Sequence, residues 1–248
     1  MTNPAAASSG IMSRVGNFFF RYRNGLFPVI FLVLALFVSP AWFLGHERLD
    51  LFVTGIGVVL ALAGGLVRIL TIGLVYIRRG GKDYKVYAKD LVTDGIYAHV
   101  RNPMYLGNLL IAAGICLMYG SPWLYAGVFP FFVLVYISIV AEEERFLASE
   151  FGDGYVAYCQ SVPRFWPNLR GVSGTFGNYQ FNWKRVLKKE YGTTCALLAA
   201  VYVLAVYKYA FLHGMSAEQV LRPVLGAPLL VLLALYLSAI FLKKSRRI

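Results

Sequence analysis

From Leu51 to Ile77 the chain runs for 27 residues with one charged side chain, Arg68, in an otherwise almost wholly apolar run. A bilayer core takes about 20 apolar residues of helix to cross, and in lipid the backbone polar groups have to be satisfied within the segment itself. That single feature commits the chain to a membrane before any motif is considered. Five further segments reach or approach the same length: Leu26 to Leu44, Met104 to Gly120, Pro122 to Ala141, Tyr191 to Leu212 and Pro223 to Leu242. The Gly120-Ser121-Pro122 junction leaves no room for an exposed loop, so the third and fourth spans are expected to form a tight helical hairpin.

Composition excludes a soluble globule: 58% of the residues are hydrophobic, against about 45–50% in soluble domains. The net charge of +12 sits in short clusters between the apolar runs, which is how membrane proteins place their anchors. The expected partners of that charge are membrane lipids, and no nucleic-acid partner is implied. Cys116 and Cys195 lie inside apolar segments, so neither a disulfide framework nor a metal site is expected.

Charge alternates along the chain. Arg14, Arg21 and Arg23 precede the first span, His46 to Asp50 carries a net −1, Arg78 to Arg101 a net +3, and the tail adds Lys243, Lys244, Arg246 and Arg247. By the positive-inside rule both termini are cytoplasmic and the spans number six. A long n-region and the poor cleavage site at Ser39-Pro40-Ala41-Trp42 argue against a removed signal peptide. The expected organisation is a disordered, basic segment (1–25), a first helix and loop (26–50), a membrane core (51–170), a polar linker (171–190) and a two-helix C-terminal extension with a basic tail (191–248). Lys208 lies near the outer end of its span and is expected to snorkel to water. Arg68 divides evenly between snorkelling and a place inside the bundle.

Two segments flank the hairpin and should meet at one membrane surface. The first reads Thr93 to Gly107, with Tyr97, His99, Arg101, Asn102, Pro103 and Tyr105; the second carries Glu142-Glu143-Glu144 and runs on through Phe151, Tyr155, Tyr158, Pro163, Arg164 and Trp166. Asn102 and Pro103 read as the cap and first residue of a helix. Three carboxylates at the C-terminal side of a span oppose both the helix dipole and the usual basic anchors, so cations are expected nearby. Glu142 projects about 100° from Glu143, and the two cannot address one atom without a bend. A carboxylate pair, an arginine, a histidine and several tyrosines suit a sulfonium cofactor: aromatic faces for the cation and a guanidinium for its carboxylate. Methyl transfer then asks the protein for alignment, water exclusion and at most one base.

At these positions the chain resembles the isoprenylcysteine carboxyl methyltransferase and phospholipid methyltransferase superfamily. The matching elements are Gly95, Tyr97, Arg101, Asn102, Pro103, Tyr105 and Gly107, then Glu142, Glu143 and Leu147, then Phe151, Gly152, Tyr155, Tyr158, Val162, Pro163 and Pro167. The resemblance spans about 51–170. It implies an all-α integral membrane protein of about six transmembrane helices, with a cytoplasm-facing cofactor pocket around the tight hairpin. It implies S-adenosylmethionine as cofactor and a lipophilic or lipid-anchored acceptor. Carried over by position, Tyr97, His99, Arg101, Asn102, Pro103, Tyr105, Gly107, Glu142 and Glu143 would line the cofactor pocket. Glu143, Glu142 and Arg101 would be catalytic, Glu143 foremost. Prenylcysteine methyltransferases generally carry an arginine one helical turn before the glutamates, where this chain has Ile139. Two other readings stay open: membrane sterol and steroid reductases, which resemble the same Arg-(His/Asn)-Pro-x-Tyr-x-Gly element but use a nicotinamide, and a non-catalytic membrane scaffold.

Overall fold

A computed structural model describes residues 37–74, 79–82, 85–88, 90–178, 180–224 and 226–245, together with 18–19, 21–22, 29–30 and 33. The expectations for the segment 1–17, for much of the first span Leu26 to Leu44 and for the tail residues Arg246 and Arg247 lie outside the described residues. Helices dominate: α1 (Glu47–Leu74), α2 (Pro103–Tyr119), α3 (Phe129–Ser161), α4 (Val172–Asn178), α5 (Trp183–Leu212), α6 (Ala217–Val224) and α7 (Ala227–Lys244). Among the described residues, four helices are long and apolar enough to cross a membrane: α1, α3 with the turn that leads into it, α5 and α7; α2 is apolar but shorter. This is an all-α membrane protein. A small antiparallel hairpin, β1 (Arg79–Lys82) with β2 (Lys85–Ala88), is inserted between α1 and α2.

α1 and α2 approach until their backbones touch. A Cβ added at Gly64 would stand 2.5 Å from the Gly107 carbonyl oxygen, and one at Gly57 would stand 2.7 Å from that of Gly114. Small residues at this seam replace the hydrophobic drive that lipid removes, since association there rests on close van der Waals contact. The seam fixes where the start of α2 sits relative to Arg68, whose Cγ lies against Gly107.

The expected hairpin between the third and fourth spans is present. Gly120 ends α2 in the left-handed region at φ 79°, Ser121 is buried, and Leu124 N donates to the Ser121 carbonyl at 3.0 Å. A π-helical turn at Leu124–Val128 leads into α3. Pro130 explains it, because its ring collides with the carbonyl four residues earlier in a regular helix, and a widened turn relieves the collision. α3 continues well past the apolar stretch and kinks at Gly152, at φ 51° and ψ −127°. The kink folds Leu147, Tyr155, Tyr158 and Val162 into one buried cluster over the mouth of the hairpin.

One expectation is corrected here, and the place of Arg68, left open above, is decided. Lys208 does not snorkel: it is 4% exposed, its Nζ lies 2.7 Å from Asp50 Oδ1, and it donates to Thr54 Oγ1 at 3.0 Å. The lysine finds its counter-ion across the bundle instead of reaching for water. Arg68 likewise stays inside, with Nε and Nη2 on the two carboxylate oxygens of Glu190 at 3.1 and 2.8 Å. The polar stretch 171–190 contains α4 and the first two turns of α5, so helix begins eight residues before the apolar run. The last apolar segment divides between α6 and α7, with Gly226 as the N-cap of α7.

Candidate functional site

The candidate site lies where the start of α2 meets the middle of α3, and the short 3-10 turn Gly95–Ala98 leads the chain into it. That turn is pinned from behind. Tyr97 is buried, and its carbonyl accepts from the Tyr158 hydroxyl at 2.7 Å. Arg101 N donates to the Pro163 carbonyl at 2.9 Å, and Asn168 N to the His99 carbonyl at 2.9 Å. The first motif and the closing one are thus stitched together through backbone.

His99 is buried, with Nδ1 2.7 Å from the Asn168 carbonyl and Nε2 2.7 Å from Thr175 Oγ1. A carbonyl can only accept, so the network assigns the proton to Nδ1 and leaves Nε2 to accept from the threonine hydroxyl. Both ring nitrogens therefore hold the segment after α3, and His99 faces that segment.

Asn102 stands at the N-cap position of α2 but makes no side-chain cap. Its Nδ2 donates instead to Glu144 Oε1 at 3.2 Å and to the Arg164 carbonyl at 3.3 Å. The expected cap is absent, and the side chain instead links the start of α2 to α3 and the segment after it through its Nδ2 donor. Pro103 occupies the first turn as expected, where its missing N–H is harmless. One turn on, the Tyr105 hydroxyl donates to Glu143 Oε1 at 2.5 Å.

The cations expected near the acidic trio are Arg101, Arg145 and Arg164. Glu142 is buried and pairs with Arg145 at 2.6 Å, one turn along its own helix. Glu144 lies between Arg101, at 3.4 Å, and Arg164, at 2.9 Å. Glu142 and Glu143 therefore address different partners, as their angular separation requires. Arg101 Nη1 also reaches Cys159 Sγ at 2.6 Å. Burial works against the Arg101 charge, but Glu144, Cys159 and Tyr155 beside it outweigh that and hold its pKa above the ordinary value. Arg101 is a permanent cation at any working pH.

Arg101 Nε and Arg164 Nε are buried, yet neither has a hydrogen-bond partner among the described residues. An unsatisfied guanidinium N–H away from water carries a desolvation penalty that a carboxylate or phosphate oxygen would remove. Two such donors, on the guanidinium groups that flank the Glu144 carboxylate, fit an incoming carboxylate such as that of an amino-acid group.

Reasoning from sequence singled out Glu142 and Glu143 and passed over Glu144, the carboxylate that joins α2 to the closing segment. Its signal was present, since it is the third member of the same acidic run, but its partners are up to 43 positions away. Gly107 packs against Arg68, and Tyr155 and Tyr158 are buried in the cap. Trp166 is 87% exposed and touches none of this network. Ile139 is fully buried against Tyr105 and Tyr136, so the wall below the carboxylates is apolar. An open cavity of about 510 Å³ lies at the opposite end of the bundle, lined by Phe37, Val38, Ser39, Ala41, Ser121, Pro122 and Trp123. Among the described residues no three His, Cys, Asp or Glu side chains gather as metal ligands.

Residues 51–154 match the family model of phospholipid methyltransferases. The cobalt-zinc-cadmium resistance protein CzcN of Cupriavidus metallidurans is 31% identical over 165 residues, which is 65% of this chain and 71% of that protein. The nickel-cobalt-cadmium resistance protein NccN of Alcaligenes xylosoxydans xylosoxydans is 28% identical over 158 residues, 63% of this chain and 70% of the other. A protein-S-isoprenylcysteine O-methyltransferase of Schizosaccharomyces pombe is 39% identical over 74 residues, 29% of this chain and 31% of its own. No solved structure matches the chain.

Proposed function

The chain belongs to the phospholipid methyltransferase family, and on that premise we propose that it transfers a methyl group from S-adenosylmethionine to a lipophilic or lipid-anchored acceptor at the cytoplasmic face of a membrane. The observation that carries the reading is the pair of buried, unpartnered guanidinium donors, Arg101 Nε and Arg164 Nε, on the two arginines that flank Glu144, the chain neighbour of a glutamate already oriented by Tyr105. When bound, S-adenosylmethionine supplies an electrophilic methyl on a sulfonium centre.

The chain's own residues then do five things. Arg101 and Arg164 bind the carboxylate of the amino-acid moiety, and Glu144 between them keeps both cations in place. Glu143 receives the Tyr105 proton donor on Oε1, and that single bond fixes the carboxylate while leaving Oε2 to accept from the cofactor's ammonium or ribose, or from the nucleophile. Tyr97, His99, Asn102, Pro103 and Gly107 hold the start of α2 in register. Glu142, neutralised by Arg145, supports the orientation of α3. The closing cap of Tyr155 and Tyr158 covers the mouth of the hairpin and excludes water, which strengthens every charge inside it.

The apolar wall at Ile139 supplies no cation for an acceptor carboxylate, which favours a lipid acceptor over a prenylcysteine. Calorimetric titration of the detergent-purified protein with S-adenosylhomocysteine, and separately with NADPH, tests the class. Micromolar binding of the first, lost in Arg101→Ala, is expected. Binding of NADPH alone would move the same residues to a reductase, and binding of neither would leave a scaffold.

A further inference from the structure

The C-terminal extension is joined to the catalytic core by two ion pairs that mirror each other. Near the site end, Arg68 of α1 meets Glu190 of α5; near the opposite end, Asp50 of α1 meets Lys208 of α5. Acid and base exchange helices between the two pairs. The same number of residues separates Asp50 from Arg68 as separates Glu190 from Lys208, about 27 Å of helix, close to the thickness of the hydrocarbon core. Two antiparallel helices can satisfy both pairs in one register only.

The two pairs differ in what else they touch. Lys208 and Asp50 close on Thr54 and on Phe43 N. Arg68 reaches further into the core: its Nη1 donates to Asn108 Oδ1 at 2.5 Å, and its Cγ fills the space above Gly107. Gly107 and Asn108 follow Tyr105 by less than one turn on α2, and Tyr105 is the residue that orients Glu143. The docking of α5 is reinforced nearby, where Asn182 N donates to the Gly73 carbonyl at 2.9 Å and Arg185 Nη1 to the Ile72 carbonyl at 3.3 Å.

We propose that Arg68 and Glu190 are positioning residues of the candidate site: Glu190, from the polar first turns of α5 that lead into the C-terminal extension, holds the Arg68 guanidinium against Gly107 and Asn108, and so sets the start of α2 that presents Tyr105 to Glu143. The extension is then a working part of the enzyme, and Lys208–Asp50 is its purely structural counterpart. The site's role in binding a methyl donor rests on the function proposed above; the mechanical coupling does not.

Hydrogen–deuterium exchange on the full-length, unliganded protein in detergent reads the coupling directly, because amide protection reports local opening. Glu190→Gln and Asn108→Ala are each expected to raise exchange of the amides at 104–109 at least fivefold. The double variant Asp50→Leu/Lys208→Met, which removes the other pair, should leave those amides unchanged. In parallel, S-adenosylhomocysteine affinity should fall about tenfold in Glu190→Gln and stay at the wild-type value in Asp50→Leu/Lys208→Met. Unchanged exchange at 104–109 in both Glu190→Gln and Asn108→Ala, or an equal rise in Asp50→Leu/Lys208→Met, would overturn the proposal. A wild-type protein that does not bind S-adenosylhomocysteine would instead overturn the methyltransferase reading, with the exchange result still deciding the coupling.

Discussion

Replacing Lys208 by methionine separates a buried ion pair from a snorkelling side chain. The Lys208 and Asp50 side chains are 4% and 5% exposed, with 2.7 Å between their charged atoms. Methionine keeps the length and the apolar stem, so the change removes the charge and its hydrogen bonds with little loss of packing. Asp50 keeps the Phe43 N–H at 3.0 Å but loses its cation, and stranding one member of a buried pair costs about 3–5 kcal/mol. At roughly 2–4 °C per kcal/mol for a chain of this size, Lys208→Met should lower the melting temperature in detergent by at least about 6 °C. Asp50→Leu/Lys208→Met removes both charges and should recover most of that loss, as buried pairs replaced by apolar residues usually do. Thermal unfolding followed by circular dichroism, run as a double-mutant cycle, measures the coupling. A single-variant loss below about 1 kcal/mol, the range of exposed pairs, would refute the buried pair and return Lys208 to the membrane surface.

Other expectations follow from the packing. Gly64→Ala should destabilise the protein by about 1–3 kcal/mol, because its methyl meets the Gly107 carbonyl oxygen at 2.5 Å and the helices must separate. Gly55→Ala, on the same helix with nothing within 4 Å of the new atom, should be neutral or stabilising by up to about 1 kcal/mol, and the same melting assay compares them. Tyr158→Phe should remove the hydrogen bond to the Tyr97 carbonyl and lower stability by about 1 kcal/mol, read by the same melting assay. Glu144→Gln should weaken S-adenosylhomocysteine affinity at least tenfold, since two partly buried guanidinium groups then lose the carboxylate between them; calorimetry at neutral pH reads it.

Much of this architecture was legible from local pattern. The long apolar runs placed α1, α3, α5 and α7, and the Gly120-Ser121-Pro122 junction placed the hairpin, because both are signals carried by adjacent residues. Hydropathy marks where a helix becomes apolar and says nothing of where it begins, which is why the polar first turns of α5 read as linker. The β1–β2 hairpin escaped for a related reason: its residues, Arg79 to Ala88, have no apolar alternation to betray strands. The charges were misjudged where their partners are distant. Asp50 and Lys208 are 158 residues apart, and no window of sequence contains both. Asn102 read correctly as a helix start, yet its side chain turned to Glu144, a choice set by tertiary contact.

The central claim, methyl transfer supported by Glu143, is tested most directly by incubating the purified protein in vesicles of membrane lipid extract with S-adenosylmethionine labelled at the transferable methyl. The account predicts label in the organic phase with the wild-type protein, at least a hundredfold less with Glu143→Gln, and the same melting temperature for both. Equal labelling by the two proteins would contradict the role of Glu143, and a wild-type protein that labels no lipid-phase acceptor would contradict the proposed reaction.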